Sequence, residues 1–176
     1  MQRRDLLRAI GAAAALAVLP EHDAFAAWAR VASGGATPGV LTNPDLALIG
    51  AIADTLLPRT SSPSATDVGV PAFIDVIVSE QYTERDRNNF TSGLAAVATQ
   101  LNGETAFAGL EPAARGAKLE ALEALTDRRA DPARTYWRLK GLVLHGYFTS
   151  EKVMKDVLHY QVMPGQFRGN APMRAS

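Results

Sequence analysis

The side chains best equipped for chemistry are few. His145 and His159, with Met154 and Met163, are nitrogen and sulfur donors of the kind that ligate haem axially or build a mixed copper site. Their spacing works against that use, because no pair falls at i, i+4 on one helix face, His159 and Met163 being four apart only in the irregular tail. A single helical His more often packs and hydrogen-bonds through its ring nitrogens. Asp54, between Ala53 and Thr55, and Asp75, between Ile74 and Val76, are carboxylates on otherwise apolar faces. Acid–base use would need them to converge in a cleft. Without that, a carboxylate in such a setting is paired or caps a backbone, and these two are expected to tie the loop from Pro58 to Val70 to the helices at its ends. The serines of Ser61-Ser62-Pro63-Ser64 lack a G-x-S-x-G elbow and a nearby His, and loop serines ordinarily cap and turn.

Cofactor seats are equally sparse. Neither G-x-G-x-x-G nor G-x-x-x-x-G-K-[ST] occurs, so a flavin or nicotinamide has no recognisable cradle. The absence of Cys excludes disulfides, thiolate metal sites, iron–sulfur clusters and covalent haem attachment. With 18 basic and 18 acidic residues the chain is charge-balanced, which argues against nucleic acid as a partner. No catalytic, cofactor or metal residue is therefore assigned in this chain.

The elements available to position these residues are helical. Thr42 with Asp45, Pro44 and apolar Leu46, Ile49, Ala53 and Leu56 predict a capped helix ending at Leu57-Pro58. A Ser/Thr/Pro/Gly-rich loop follows over Arg59 to Gly69, long enough to suggest that it binds or packs deliberately. From Val70-Pro71 a second helix carries Phe73, Ile74, Ile77 and Val78, with a strand as the minority reading because β-branched residues abound. Thr83 and Asp86 cap a third, whose Phe90, Leu94, Val97 and Leu101 keep 4-3-4 spacing until Asn102-Gly103. A fourth spans about Pro112 to Leu125, with Leu119, Leu122 and Leu125 inward. A fifth opens at Asp131-Pro132 and carries Tyr136, Trp137, Leu139, Val143 and Tyr147. A short sixth begins near Ser150-Glu151. The expectation is an all-α domain over 42–158, an irregular bundle of five or six helices. The segment 159–176, with its prolines, glycines and aromatics, reads as an extended partner-docking tail.

The N-terminus reads as an address. Arg3-Arg4 with Leu6 and Leu7, an apolar run from Ala9 to Leu19, and the small-x-small pattern Ala24-Phe25-Ala26 give the parts of a twin-arginine signal peptide over 1–26. The run is shorter than the ~20 residues that cross a bilayer. Cleavage after Ala26 and retention as an anchor both stay open. Residues 27–41, with Gly34-Gly35 and Pro38-Gly39, read as a flexible or partner-draped arm. The expected location is the periplasm, reached through the twin-arginine translocase, a route that carries folded cargo.

The run Ile52-Ala53-Asp54-Thr55-Leu56-Leu57-Pro58-Arg59-Thr60, then Ser62-Pro63-Ser64-Ala65 and Gly69-Val70-Pro71-Ala72-Phe73-Ile74-Asp75, resembles the first signature of the gluconate 2-dehydrogenase subunit 3 family. Gly146-Tyr147-Phe148-Thr149-Ser150, leading through His159-Tyr160 to Met163-Pro164-Gly165-Gln166-Phe167-Arg168-Gly169, resembles the second, and Phe107 to Leu125 is similar to the family's middle helix. The resemblance covers roughly Leu41 to Met173. It implies a non-catalytic small subunit of a periplasmic FAD-dependent sugar dehydrogenase acting on gluconate, glucose or glycosides. The FAD would sit in a glucose-methanol-choline type flavoprotein large subunit, and c-type haem in a cytochrome c subunit where one is present. The small subunit would bind the flavoprotein, aid its maturation like a chaperone, and carry it through the twin-arginine pore. Many relatives carry a tail Cys that this chain lacks, which excludes a disulfide to the partner. On this reading Tyr147, Phe148, Tyr160, Phe167 and Arg168 are the interface candidates, since aromatics and Arg carry interface energy disproportionately. For Tyr147 and Phe148, core packing is the competing reading. The alternative function is a stand-alone periplasmic electron carrier or metal- or haem-binding protein using His145 and His159.

Overall fold

A computed structural model describes residues 21–33, 39–103, 105–125 and 127–160, with residues 21–23 described by backbone alone. The described residues form six α-helices and no strand: α1 Glu21–Ser33, α2 Asn43–Leu56, α3 Val70–Glu80, α4 Glu84–Leu101, α5 Pro112–Glu123 and α6 Ala133–Thr149. A 3-10 turn, Phe107–Gly109, precedes α5, and a π-helical turn, Val153–Val157, follows α6. The all-α bundle expected from periodicity is the fold observed, and the strand alternative for Val70–Glu80 is excluded. No helix of the described residues is long and apolar enough to cross a membrane.

Local chemistry explains the helix starts. The Thr42 hydroxyl accepts the Asp45 N–H while the Asp45 carboxylate accepts the Thr42 N–H, satisfying donors that the first turn would otherwise leave open. Thr83 caps α4 through the Asp86 N–H in the same way. α3 starts differently. Gly69 holds φ 83°, a left-handed conformation that costs glycine no steric penalty, and swings the chain from the loop into the helix.

α3 is the hub. Val70, Phe73, Ile74, Val76, Ile77 and Val78 are all buried, so the helix is covered on several sides, by α1, α2 and α6. α4 lays Phe90, Leu94, Val97 and Leu101 against α6, and α5 closes the far side with Leu119 and Leu122. Leu125, expected inward, is 36% exposed because α5 stops at Glu123 and the chain turns away.

The arm expected over 27–41 is helical over its first part. α1 extends to Ser33, and Ala24, Ala27, Trp28 and Val31 form a period-3.6 stripe packed on the core. Trp28 stacks on Phe73 with ring centroids 4.9 Å apart, and its indole N–H donates to the Thr149 hydroxyl at 3.1 Å. Arg3, Arg4, Leu6 and Leu7, residues 34–38 and the tail from 161 onward lie outside the described residues.

α3 crosses α6 closely at Gly146, where an added Cβ would lie 2.7 Å from the Phe73 ring. Gly146→Ala therefore forces Phe73 or the helix axis to move, with an expected loss of about 1–3 kcal/mol. A fall of several degrees in Tm by calorimetry, about 2–4 °C per kcal/mol, is the expected readout. An unchanged Tm would show that the crossing has slack.

Candidate functional site

Two features project from this frame: the loop between α2 and α3, and the segment that leaves α6 toward the tail. The loop is built from its own short polar side chains. Asp54, in the last turns of α2, accepts the Thr66 N–H at 2.9 Å and the Thr66 hydroxyl at 2.6 Å. Asp67 accepts the Ser64 N–H at 2.8 Å and forms an ion pair with Arg59. The backbone hydrogen bond from Ser64 is the main influence holding the Asp67 carboxyl below the usual carboxylate range, with the Arg59 charge adding to it against the cost of desolvation. Ala65, fully buried, plugs the loop into the core, and its N–H donates to the Leu57 carbonyl.

Tyr147 reaches this loop from α6, its hydroxyl donating to the Pro63 carbonyl at 2.8 Å across 84 residues of sequence. This matches the core-packing reading that competed with an interface role for it. Tyr147 is 4% exposed and its polar tip is bonded inside the domain, where it anchors the loop. Phe148 is half-buried, edge-on to Tyr147 at 5.3 Å. Tyr160 is 55% exposed, and Phe167 and Arg168 lie outside the described residues.

The two carboxylates do not converge on one function. Asp54 ties the loop as expected from its position, but Asp75 is directed elsewhere. Its Oδ1 accepts the Leu41 N–H at 3.1 Å and so fixes the chain entering α2, not the Pro58–Val70 loop. Pro58 closes α2 at the exposed start of the loop. Nor does the structure gather a donor set. His145 lies in α6 with its ring 6.3 Å from Phe73, whereas His159 is exposed beyond the π-helical turn, and Met163 lies outside the described residues. Among the described residues no group of three or more His, Asp and Glu side chains could hold a metal.

A half-buried polar cluster at the other end of the bundle is structural. Glu123 Oε1 accepts both the Tyr136 hydroxyl and the Lys140 ammonium at 2.6 Å, joining α5 to α6. Burial, reinforced by Glu123, pushes the Tyr136 hydroxyl well above the usual phenol range, so it stays a donor.

Among the described residues, large apolar side chains are exposed singly at Phe25, Val40 and Leu125 and as one short stretch next to the tail. Val157 is 39% exposed, Leu158 49% and Tyr160 55%, consecutive to the tail that follows them. The sequence reading selected Tyr160 but missed Val157 and Leu158, which fall at the end of a helical turn where periodicity no longer tells inside from outside.

A family model described as gluconate 2-dehydrogenase subunit 3 matches residues 43–165. The chain belongs to this family. The first signature lies within the matched span, as does the second as far as Gly165, and so do the Asp54 loop, Tyr147 and the exposed Val157–Tyr160 segment. The name of the gluconate 2-dehydrogenase subunit 3 family describes a small subunit of a dehydrogenase complex, a description that suits a domain whose carboxylates and tyrosines are occupied in holding its own loops. No curated protein and no solved structure matches the chain.

The Asp67 contact has a pH signature. A carboxyl whose pKa in the folded chain lies below its ordinary value contributes stability above that ordinary value and loses it as the pH falls through the folded one. Asp67→Asn should therefore lower Tm at neutral pH, with the gap to wild type shrinking between about pH 4 and pH 2. A gap that stays constant over that range, followed by circular dichroism, would show that the charge contributes nothing.

Proposed function

We propose that this chain is the non-catalytic small subunit of a periplasmic FAD-dependent sugar dehydrogenase. It binds a glucose-methanol-choline type flavoprotein, aids its maturation with FAD, and carries it through the twin-arginine translocase. The observation that carries the reading is the family match over residues 43–165, joined to the apolar Val157, Leu158 and Tyr160 left exposed at its end. Permanent interfaces bury apolar and aromatic side chains of this kind, and Tyr is enriched among residues that dominate their energy. Where a cytochrome c subunit completes the complex, electrons leave the flavin through it. The sugar is selected by the flavoprotein.

The export arm is tested by Arg3→Lys with Arg4→Lys, co-expressed with the flavoprotein partner. Periplasmic dehydrogenase activity should fall at least about tenfold while activity accumulates in the cytoplasm, because both subunits travel on one address. Unchanged periplasmic activity would end the passenger reading.

The docking arm is tested by Leu158→Asp combined with Tyr160→Asp. Both side chains are exposed in the isolated subunit, so its Tm should stay within about 2 °C of wild type. Affinity for the flavoprotein, measured by calorimetry or co-purification, should drop by about tenfold or more, the cost of losing an aromatic anchor. Retained affinity would move the interface elsewhere on the domain.

A further inference from the structure

The bond that signal peptidase would cut lies inside a folded helix. α1 runs from Glu21 to Ser33, so the Ala26–Ala27 bond that follows Ala24-Phe25-Ala26 sits near its middle. Ala24, the small residue three positions before the cut on the N-terminal side, is completely buried, and so is Ala27 just after it. Trp28, next in the chain, is held by its stack on Phe73 and its hydrogen bond to Thr149. One turn later Arg30 pairs with Glu80 at 3.5 Å. A peptidase reads its substrate as an extended strand, at ~3.3 Å per residue against ~1.5 Å in a helix. Presenting residues 24–27 to it means unwinding α1 and withdrawing Ala24, Ala27 and Trp28 from the core.

We propose that docking of α1 masks this processing site, so that the folded chain keeps its leader. The proposal rests on the export reading of residues 1–26. Protection depends on the fold, because the seat is assembled from Phe73 on α3 and Thr149 at the end of α6, residues far apart in sequence. A chain that has not yet brought these helices together exposes the bond. One that has done so hides it, and cleavage then waits on local opening of α1.

The test is digestion of the purified full-length protein by signal peptidase in detergent micelles, read by intact mass and N-terminal sequence. A synthetic peptide of residues 15–33 and the variant Ala29→Pro are digested beside it. Ala29 is exposed, so proline there breaks the helix without deleting a core side chain. The peptide and Ala29→Pro should be cut between Ala26 and Ala27 at least about tenfold faster than wild type, with the variant's remaining helicity intact. If Ala29→Pro unfolds the whole domain, Trp28→Phe replaces it in the comparison. That variant keeps a ring on Phe73 but loses the bond to Thr149, and should be cut about threefold to fivefold faster than wild type. Equal rates for wild type and the folded variant overturn the proposal. Failure to cut the peptide also overturns it, since there would be no site to mask. The assay uses purified chain and is independent of the Arg3 and Arg4 experiment, so masking and export fail separately.

Discussion

The structure depends on one close approach, the Phe73 ring seated against Gly146. Without a Cβ at Gly146, α6 comes near enough for Phe73 to fill the space, and α3 becomes the axis on which α1, α2 and α6 are assembled. Thr149 lies three residues further along α6 and so shares a face with Gly146. Trp28, stacked on Phe73, meets that threonine beside the ring. Tyr147, on an adjacent face, reaches the carbonyl of Pro63. The Gly-Tyr-Phe-Thr-Ser run is thus a set of fittings at one helix end, in which the glycine receives Phe73, the tyrosine pins a loop, and the threonine receives α1.

This arrangement separates residues that hold the domain from residues that face outward. Asp54, Asp67, Asp75 and Tyr147 are each committed to a backbone group of the same chain. Tyr147 is the buried member of this group, and losing its acceptor would strand the hydroxyl at a cost of about 1–3 kcal/mol. The apolar segment from Val157 to Tyr160 has no such commitment, and its exposed surface is reduced only if something covers it. A small subunit that stabilises itself through polar loop anchors can leave its apolar surplus for a partner.

How much of this was legible depended on how local the chemistry is. The starts of α2 and α4 could be read because Thr42 with Asp45 and Thr83 with Asp86 satisfy backbone groups within one turn. The buried faces of α4 and α6 followed from spacing alone. Tyr147 and Asp75 could not be placed that way, since a period tells which face is buried and not what waits there. The partners of these two residues lie 84 and 34 positions away. α1 is a different case. Its stripe of Ala24, Ala27, Trp28 and Val31 does carry a helical period, but it straddles a boundary that the grammar of a leader peptide draws between Ala26 and Ala27. Residues on either side of that boundary were weighed separately, and the glycines further on gave the second part the look of an arm.

That overlap of two patterns in one stretch has a physical consequence. A leader needs an extended, accessible small-x-small site, whereas a helix packed on a core needs its small residues at the contact, and on the export reading Ala24 faces both demands. The demands exclude each other in any one molecule at any one time, because an alanine buried under α3 and α6 cannot also lie in a peptidase pocket. The balance between them is set by how firmly Trp28 is held, and its two contacts, Phe73 and Thr149, come from the two signature regions. On the export reading, the state of the leader is therefore coupled to whether the two signatures have met, which is the same event that forms the domain.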